Sequence, residues 1–351
     1  MFVGLALAAQ ASAVPCADEI AALLAEHAYV RALADGSLVT RDDIDRANED
    51  ELNELLRQAD RYASYVPAEV FSRIRDLKTA GPAGVGMDIV FDSQGRIRCI
   101  PYPDSPADIA GIEYGSVLLS VDGFGTDGLP IEDVAALIRG KKDSDVELTV
   151  EGPDGEIYVA VVTRSVQRYP DVALIPGNSV GIKIFRFGPN TAEHLKAVFR
   201  QFQEEYGETG RRFYLDLRGN TGGVLQQAAE CAAMFLPPDS VLYRYATEQE
   251  VTNIKTDGSA RLFDGRFLIL QDAFTASSAE MMIVSLKAGA DVSTFGSKSA
   301  GKSRVQEVFR LSDGGAIKIT VGELRYPKQR GTWQDIGLEP DIRRGGPEIR
   351  R

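Results

Sequence analysis

The chain has 351 residues, 44% hydrophobic and 26% charged, with a net charge of -12, a balance typical of soluble globular protein and enough length for two or three domains. So acidic an average disfavours nonspecific binding to nucleic acid or to anionic membranes. Only three cysteines occur, Cys16, Cys99 and Cys231; far apart and without C-x-x-C spacing, they suggest neither a zinc cluster nor a disulfide framework.

Residues 1–15 are small and apolar and contain Ala-Ser-Ala before Val14-Pro15, which resembles the tail of a secretory signal and gives an expectation of a periplasmic or secreted protein. A disordered apolar N-terminus is the alternative. Nowhere else do eighteen apolar residues run together, so no integral membrane span is expected. Residues 16–79 read as a helical module: IAALLAEHAYVRAL is followed by Asp42 to Tyr65 with Ile44, Leu52, Leu55 and Leu56 at helical spacing.

Residues 80–166 change to short alternating runs, VGMDIVF, IRCIPY, SVLLSVDG, VELTVEG and IYVAVVTRSV, interrupted by two short helices. Ser105 is placed to cap the first, with Pro106 at its first turn; the second runs from Ile131 to Gly140. This is one small β-rich domain. Residues 167–351 alternate strand and helix: VGIKIF, Thr191–Tyr206, FYLDL, Val224–Phe235, FLILQD, Ser278–Ala288 and VSTFG. Such alternation reads as helices packed on a sheet. A hairpin follows, Val305–Leu311 and Ala316–Val321 around Ser312-Asp313-Gly314-Gly315.

Three segments carry candidate chemistry. Gly296 to Ser303 satisfies GxxxxGK[ST] in full, which opens a nucleotide-binding reading. A phosphate loop must run straight into a helix whose amides face the anion, and the continuation RVQEVFRLSDGG predicts a strand instead. Ser277 opens the helix in Thr275-Ala-Ser277-Ser-Ala-Glu280. Ser277 and Glu280 form a capping-box pattern, yet a helix N-terminus after a strand also suits an oxyanion. The third segment is Asp216-Leu-Arg218-Gly-Asn220-Thr-Gly222-Gly223, whose glycines let backbone amides approach a bound group; a tight turn held by Asn220 is the alternative. The only histidines, His27 and His194, lie within amphipathic helices. A serine nucleophile would therefore need another base, and a lysine serves if burial or nearby positive charge keeps it neutral.

Together these segments resemble the C-terminal processing peptidases, PDZ-bearing serine-lysine endopeptidases of the tail-specific type. Asp60-Arg-Tyr-Ala-Ser-Tyr65-Val-Pro is similar to the family's D-P-x-S-x-Y-[LF]-x-P, and Asp216 to Gly223 matches D-L-R-x-N-x-G-G. The nucleophile of G-S-A-S-A-S-E falls on Ser277, the base of F-G-K-G-x-V-Q on Lys302 twenty-five residues later, and the glutamine of that motif on Gln306. Gly337-Leu-Glu-Pro-Asp341 resembles the family's G-[IL]-x-P-D.

The resemblance implies a crotonase/ClpP-like α/β protease core, an inserted PDZ domain over 80–166 and an N-terminal helical module. It also implies Ser277 as nucleophile, Lys302 as general base, Gln306 steadying the lysine, and an oxyanion hole from the backbone of Gly222 or Gly223 and of Ser278. Gly84-Val85-Gly86-Met87 resembles the PDZ carboxylate-binding loop. Proteins or peptides with free C-termini are the implied partners; no metal or cofactor is implied, and homo-oligomerisation stays open. The chain departs from the pattern at Asp272-Ala273-Phe274, where the family has N-G-G or N-x-G, and at Ala300-Gly301-Lys302-Ser303 in place of F-G-K-G. A catalytically idle PDZ adaptor and a phosphate-loop nucleotide enzyme are the competing readings.

Overall fold

A computed structural model describes residues 16–30, 37–69, 71–72, 83–92, 96–126, 129, 131–166, 169–175, 180–207, 213–257 and 261–343. The signal-like segment 1–15 lies outside the described residues. The chain divides into two compact units, one of residues 1–76 with 305–322, the other of 77–304 with 323–351.

The first unit begins with helices α1 (Ala17–His27), α2 (Arg41–Arg46) and α3 (Glu49–Ala59), then strand β1 (Ser64–Val66). The stretch from Asp42 to Tyr65, read as helical from its apolar spacing, holds two helices and a strand. Asn48 accepts from the amides of Asp50 and Glu51 while Glu51 reaches back to the Asn48 amide, and this capping box starts a new helix where periodicity alone runs on. α3 ends before Asp60, and Tyr65 belongs to β1. Ile20, Ile44, Leu52, Leu56 and Tyr65 meet in one apolar core.

The second unit opens with the β-rich domain. Strands β2 (Met87–Phe91), β3 (Ile97–Pro101), β4 (Val117–Val121), β6 (Asp145–Glu151) and β7 (Ile157–Thr163) form an antiparallel sheet in that order, with the short β5 (Phe124–Gly125) beside β4. Helix α4 (Pro106–Ile109) is capped by Ser105 as its sequence requires, and α5 (Ile131–Ile138) follows β5. Alternation in β6 buries Val146, Leu148 and Val150 on one face.

The same unit holds a six-stranded sheet ordered β17-β14-β13-β10-β9-β8. It comprises β8 (Val172–Ile175), β9 (Val180–Ile184), β10 (Phe213–Asp216), β13 (Phe267–Gln271), β14 (Val292–Gly296) and β17 (Ile342–Arg343). All pairs are parallel except β8 with β9. Helix α6 (Thr191–Tyr206) joins β9 to β10, α7 (Leu225–Ala233) follows β10, and α8 (Ser278–Gly289) joins β13 to β14. Every residue from Ser278 to Leu286 is buried, so α8 is a core helix, buried all round rather than along one stripe, with Ser278, Glu280 and Ser285 as its buried polar positions. Phe199, Phe202, Phe213, Phe235, Phe263 and Phe267 stack into one aromatic cluster between helices and sheet.

Strands β11 (Val241–Ala246) and β12 (Val251–Lys255) form an antiparallel pair that the reading by alternating elements missed. The expected hairpin is present as β15 (Arg304–Arg310) and β16 (Ala316–Arg325). Residues 305–322, placed by sequence with the peptidase core, group with the N-terminal helices: Ser64–Val66 pairs with Ala316–Lys318, whereas Glu323–Arg325 pairs with β11. Among the described residues no helix is long and apolar enough to cross a membrane.

Candidate active site

Three loops leave the carboxyl ends of three adjacent parallel strands, where open α/β sheets place ligands. The loop after β10 carries Asp216 to Gly223, the loop after β13 carries Asp272 to Ser277, and the loop after β14 carries Ser297 to Ser303. Register fixes their relative height, with Asp216 beside Leu270 and Gln271 beside Gly296. Gly296 is obligatory: at φ 134° a Cβ there would lie 1.9 Å from Gln271 O.

Ser277 stands at the N-terminus of α8 with φ 57° and ψ -122°. A non-glycine residue held in so sparsely populated a conformation marks a site where the surroundings over-determine the backbone. The capping-box reading is half fulfilled. Glu280 Oε2 accepts from Ser277 N at 2.9 Å, but the Ser277 hydroxyl is too loosely placed for a capping hydrogen bond.

Glu280 does more than cap. Its side chain is fully buried, and Oε2 also accepts from Lys302 N at 2.8 Å, while Oε1 accepts from Gly301 N at 2.7 Å and Ser299 Oγ at 2.5 Å. The amides of Ser277 and Lys302 thus share one carboxylate oxygen. Ala300 N donates to Thr275 O at 3.0 Å, joining the same two loops again. Burial pushes the Glu280 carboxyl up to about 7, against the pull of its four donors. Lys302 itself is partly buried. The loop carrying it runs into β15, not a helix, so the phosphate-loop pattern lacks the amides that make it work.

The glycine loop packs on the other side of Ser277: a Cβ on Gly222 would come 2.9 Å from Ser277 Cβ. Buried Asn220 braces this loop, its Nδ2 donating to Ile184 O and its Oδ1 accepting from Gly222 N, both at 2.9 Å. The Gly222 amide is therefore occupied; among the described residues nothing accepts from the amides of Gly223 or Ser278. Below the loop, Arg218 forks onto Asp216 at 3.0 and 2.7 Å, and Lys183 adds a third cationic contact. Burial would raise the Asp216 carboxyl, but these partners outweigh it and hold it below the ordinary range.

Gln306 lies on β15 and donates from Nε2 to Thr320 Oγ1 at 3.3 Å. In the β-rich domain, Gly84 exchanges two backbone hydrogen bonds with Ser165, Val85 O accepts from Ala107 N, and Gly86 O accepts from Tyr102 N. Met87 then begins β2, an edge strand lying beside α5. His27 stacks on Phe309, and His194 faces Asp171; neither joins the three loops. Among the described residues no cluster of His, Cys, Asp or Glu is arranged to hold a metal. Sequence reading missed the bridging role of Glu280, for which the capping pattern was the one available signal.

Sheet and β-rich domain have the architecture of a peptidase core joined to a PDZ module. Residues 179–344 match peptidase family S41 and residues 101–152 match the PDZ domain. The chain is 29% identical over 295 residues to a carboxyl-terminal-processing protease of Picosynechococcus sp., covering 80% of this chain and 69% of that protein. It is 26% identical over 293 residues to the carboxy-terminal processing protease CtpA of Bacillus subtilis, covering 82% and 62%. The photosystem II D1 C-terminal processing protease has the same fold, with a TM-score of 0.72 at 23% identity over 84% of this chain and 81% of that one. The chain is thus similar to the C-terminal processing peptidases, and with its S41 match it is a serine-type peptidase.

Proposed function

We propose that this peptidase cleaves proteins near their C-termini, with Ser277 as nucleophile and Lys302 as general base. The observation that carries the reading is the shared Glu280 oxygen, which ties the backbone of Ser277 to that of Lys302 within two hydrogen-bond lengths. Neutral Lys302 takes the proton from Ser277 Oγ as it attacks the scissile carbonyl, then delivers it to the departing amine. Water repeats the attack on the acyl-enzyme. The oxyanion is held by the amides of Gly223 and Ser278, which have no competing acceptor among the described residues, rather than by Gly222, whose amide Asn220 takes. Gln306 is the amide that the family pattern assigns to steady the lysine.

The PDZ domain captures the substrate C-terminus at Gly84 to Met87, and the peptide adds as a strand along the β2 edge toward α5. Substrates are accordingly polypeptides with a free α-carboxylate, met outside the cytoplasm. Hydrolysis of a tagged unfolded protein tests the assignment. Ser277→Ala and Lys302→Ala should each abolish cleavage, and undiminished turnover in either variant would refute it. Amidating the substrate C-terminus should raise KM and leave kcat in place.

A further inference from the structure

Asp272-Ala273-Phe274 departs from the family pattern, and both Asp272 and Phe274 touch one side chain of the PDZ domain. Tyr114, in the turn between α4 and β4, donates from its hydroxyl to Asp272 Oδ2 at 2.5 Å. Its ring meets Phe274 edge-on with centroids 5.3 Å apart. Gly219, at φ 70°, closes the third side, where a Cβ would lie 2.6 Å from the Tyr114 hydroxyl oxygen. The turn is built to hold the tyrosine. Arg98, paired with Asp92 at 2.8 Å, donates to Gly115 O at 3.0 Å, and Gly115 N donates to Cys99 O at 2.8 Å.

The other oxygen of Asp272 reaches into both active-site loops. Oδ1 accepts from Gly219 N at 3.0 Å, Phe274 N at 3.0 Å and Thr275 N at 3.1 Å. One carboxylate therefore ties the glycine loop to the loop that delivers Ser277, and its second oxygen is fastened to the PDZ domain. Burial, reinforced by the charge of Asp272, pushes the Tyr114 phenol far up, which keeps it a donor. A phenol donating to a carboxylate is among the stronger neutral-to-ionic hydrogen bonds.

We propose that Asp272 is a positioning residue and that, through Tyr114, the seated PDZ domain is part of the frame that holds the oxyanion loop in register with Ser277. The inference rests on the reading of Ser277 as nucleophile. Its consequence is that PDZ seating sets turnover even for a substrate that the PDZ domain does not bind. Displacing Tyr114 frees Asp272 Oδ2 and loosens Gly219, four residues before Gly223.

The test uses the full chain and a short internally quenched peptide with an amidated C-terminus, which removes carboxylate capture from the readout. Tyr114→Phe should lower kcat about tenfold and leave KM within about twofold; Asp272→Ala should lower kcat about a hundredfold. Asp272→Asn keeps Oδ1 for the three amides and can donate Nδ2 to the tyrosine hydroxyl, so it should recover to within about threefold of wild type. Tyr114→Phe combined with Asp272→Ala should be no slower than Asp272→Ala alone, the signature of one coupled unit. Amide hydrogen exchange over residues 216–223 should quicken in Tyr114→Phe. Unchanged kcat and exchange in Tyr114→Phe, or a double variant as slow as the product of the singles, overturns the proposal. Ser277→Ala assayed alongside separates the two failures: an active Ser277→Ala fells the peptidase assignment and this inference with it, whereas an inactive one beside an unimpaired Tyr114→Phe fells this inference only.

Discussion

Replacing Glu280 with glutamine keeps the shape of the clamp and removes one of its two acceptor oxygens. If the amide oxygen stays toward Ser299 and Gly301, the new NH2 faces the amides of Ser277 and Lys302, donor against donor. Two hydrogen bonds to an ionised group are lost, at about 1.5–3 kcal/mol each. Against that loss, the wild-type carboxyl is pushed up to about 7 from 4.5 by burial. That difference, net of the four hydrogen bonds that pull the carboxyl down, corresponds to roughly 3 kcal/mol, so the burial cost that glutamine relieves is at least about that large. The net cost at pH 8 is therefore at most about 3 kcal/mol, concentrated in the loops that carry Ser277 and Lys302. Misplacement there should lower kcat about a hundredfold.

The pH dependence gives an independent check. A carboxyl with a raised folded-state pKa contributes stability that is fully present below about 4.5 and is lost as pH rises through about 7, because the folded state binds the extra proton in that window. Urea unfolding at pH 5 and pH 8 should therefore show wild type losing about 2.5 kcal/mol more than Glu280→Gln over the interval. Equal pH slopes for the two proteins, or a Glu280→Gln kcat within about twofold of wild type at pH 8, would refute the clamp.

Asn220→Ala should leave Ile184 O and Gly222 N buried without partners, lowering stability by about 2–4 kcal/mol and slowing turnover; thermal unfolding and kcat measured together check it. Gly296→Ala forces a methyl group to 1.9 Å from Gln271 O at a φ that other residues avoid, so a loss of at least about 3 kcal/mol or outright failure to fold is expected, read from soluble yield and denaturant midpoint.

The sheet was legible because each strand of FLILQD, FYLDL and VSTFG is a short apolar run ending in a polar or glycine-rich loop, and those three loops prove to be neighbours. Spacing between Ser277 and Lys302 was readable as a family pattern, but the carboxylate that joins them was not. Glu280 meets Gly301 across 21 residues of sequence and Tyr114 meets Asp272 across 158; such pairings are made by topology, which no local periodicity records. The break at Asn48 was missed because apolar positions continue in phase from Ile44 through Leu52, and only the polar pair Asn48 and Glu51 carries the interruption. β11 and β12 escaped notice because the reading stepped from helix to the next apolar strand and passed over the half-exposed VLYRYA.

Helix α8 is enclosed on every side, from Ser278 through Leu286. The residue at its tip is consequently held against fraying, since opening the helix would mean opening the core. Heat should release the Ser277 backbone only when the domain itself unfolds.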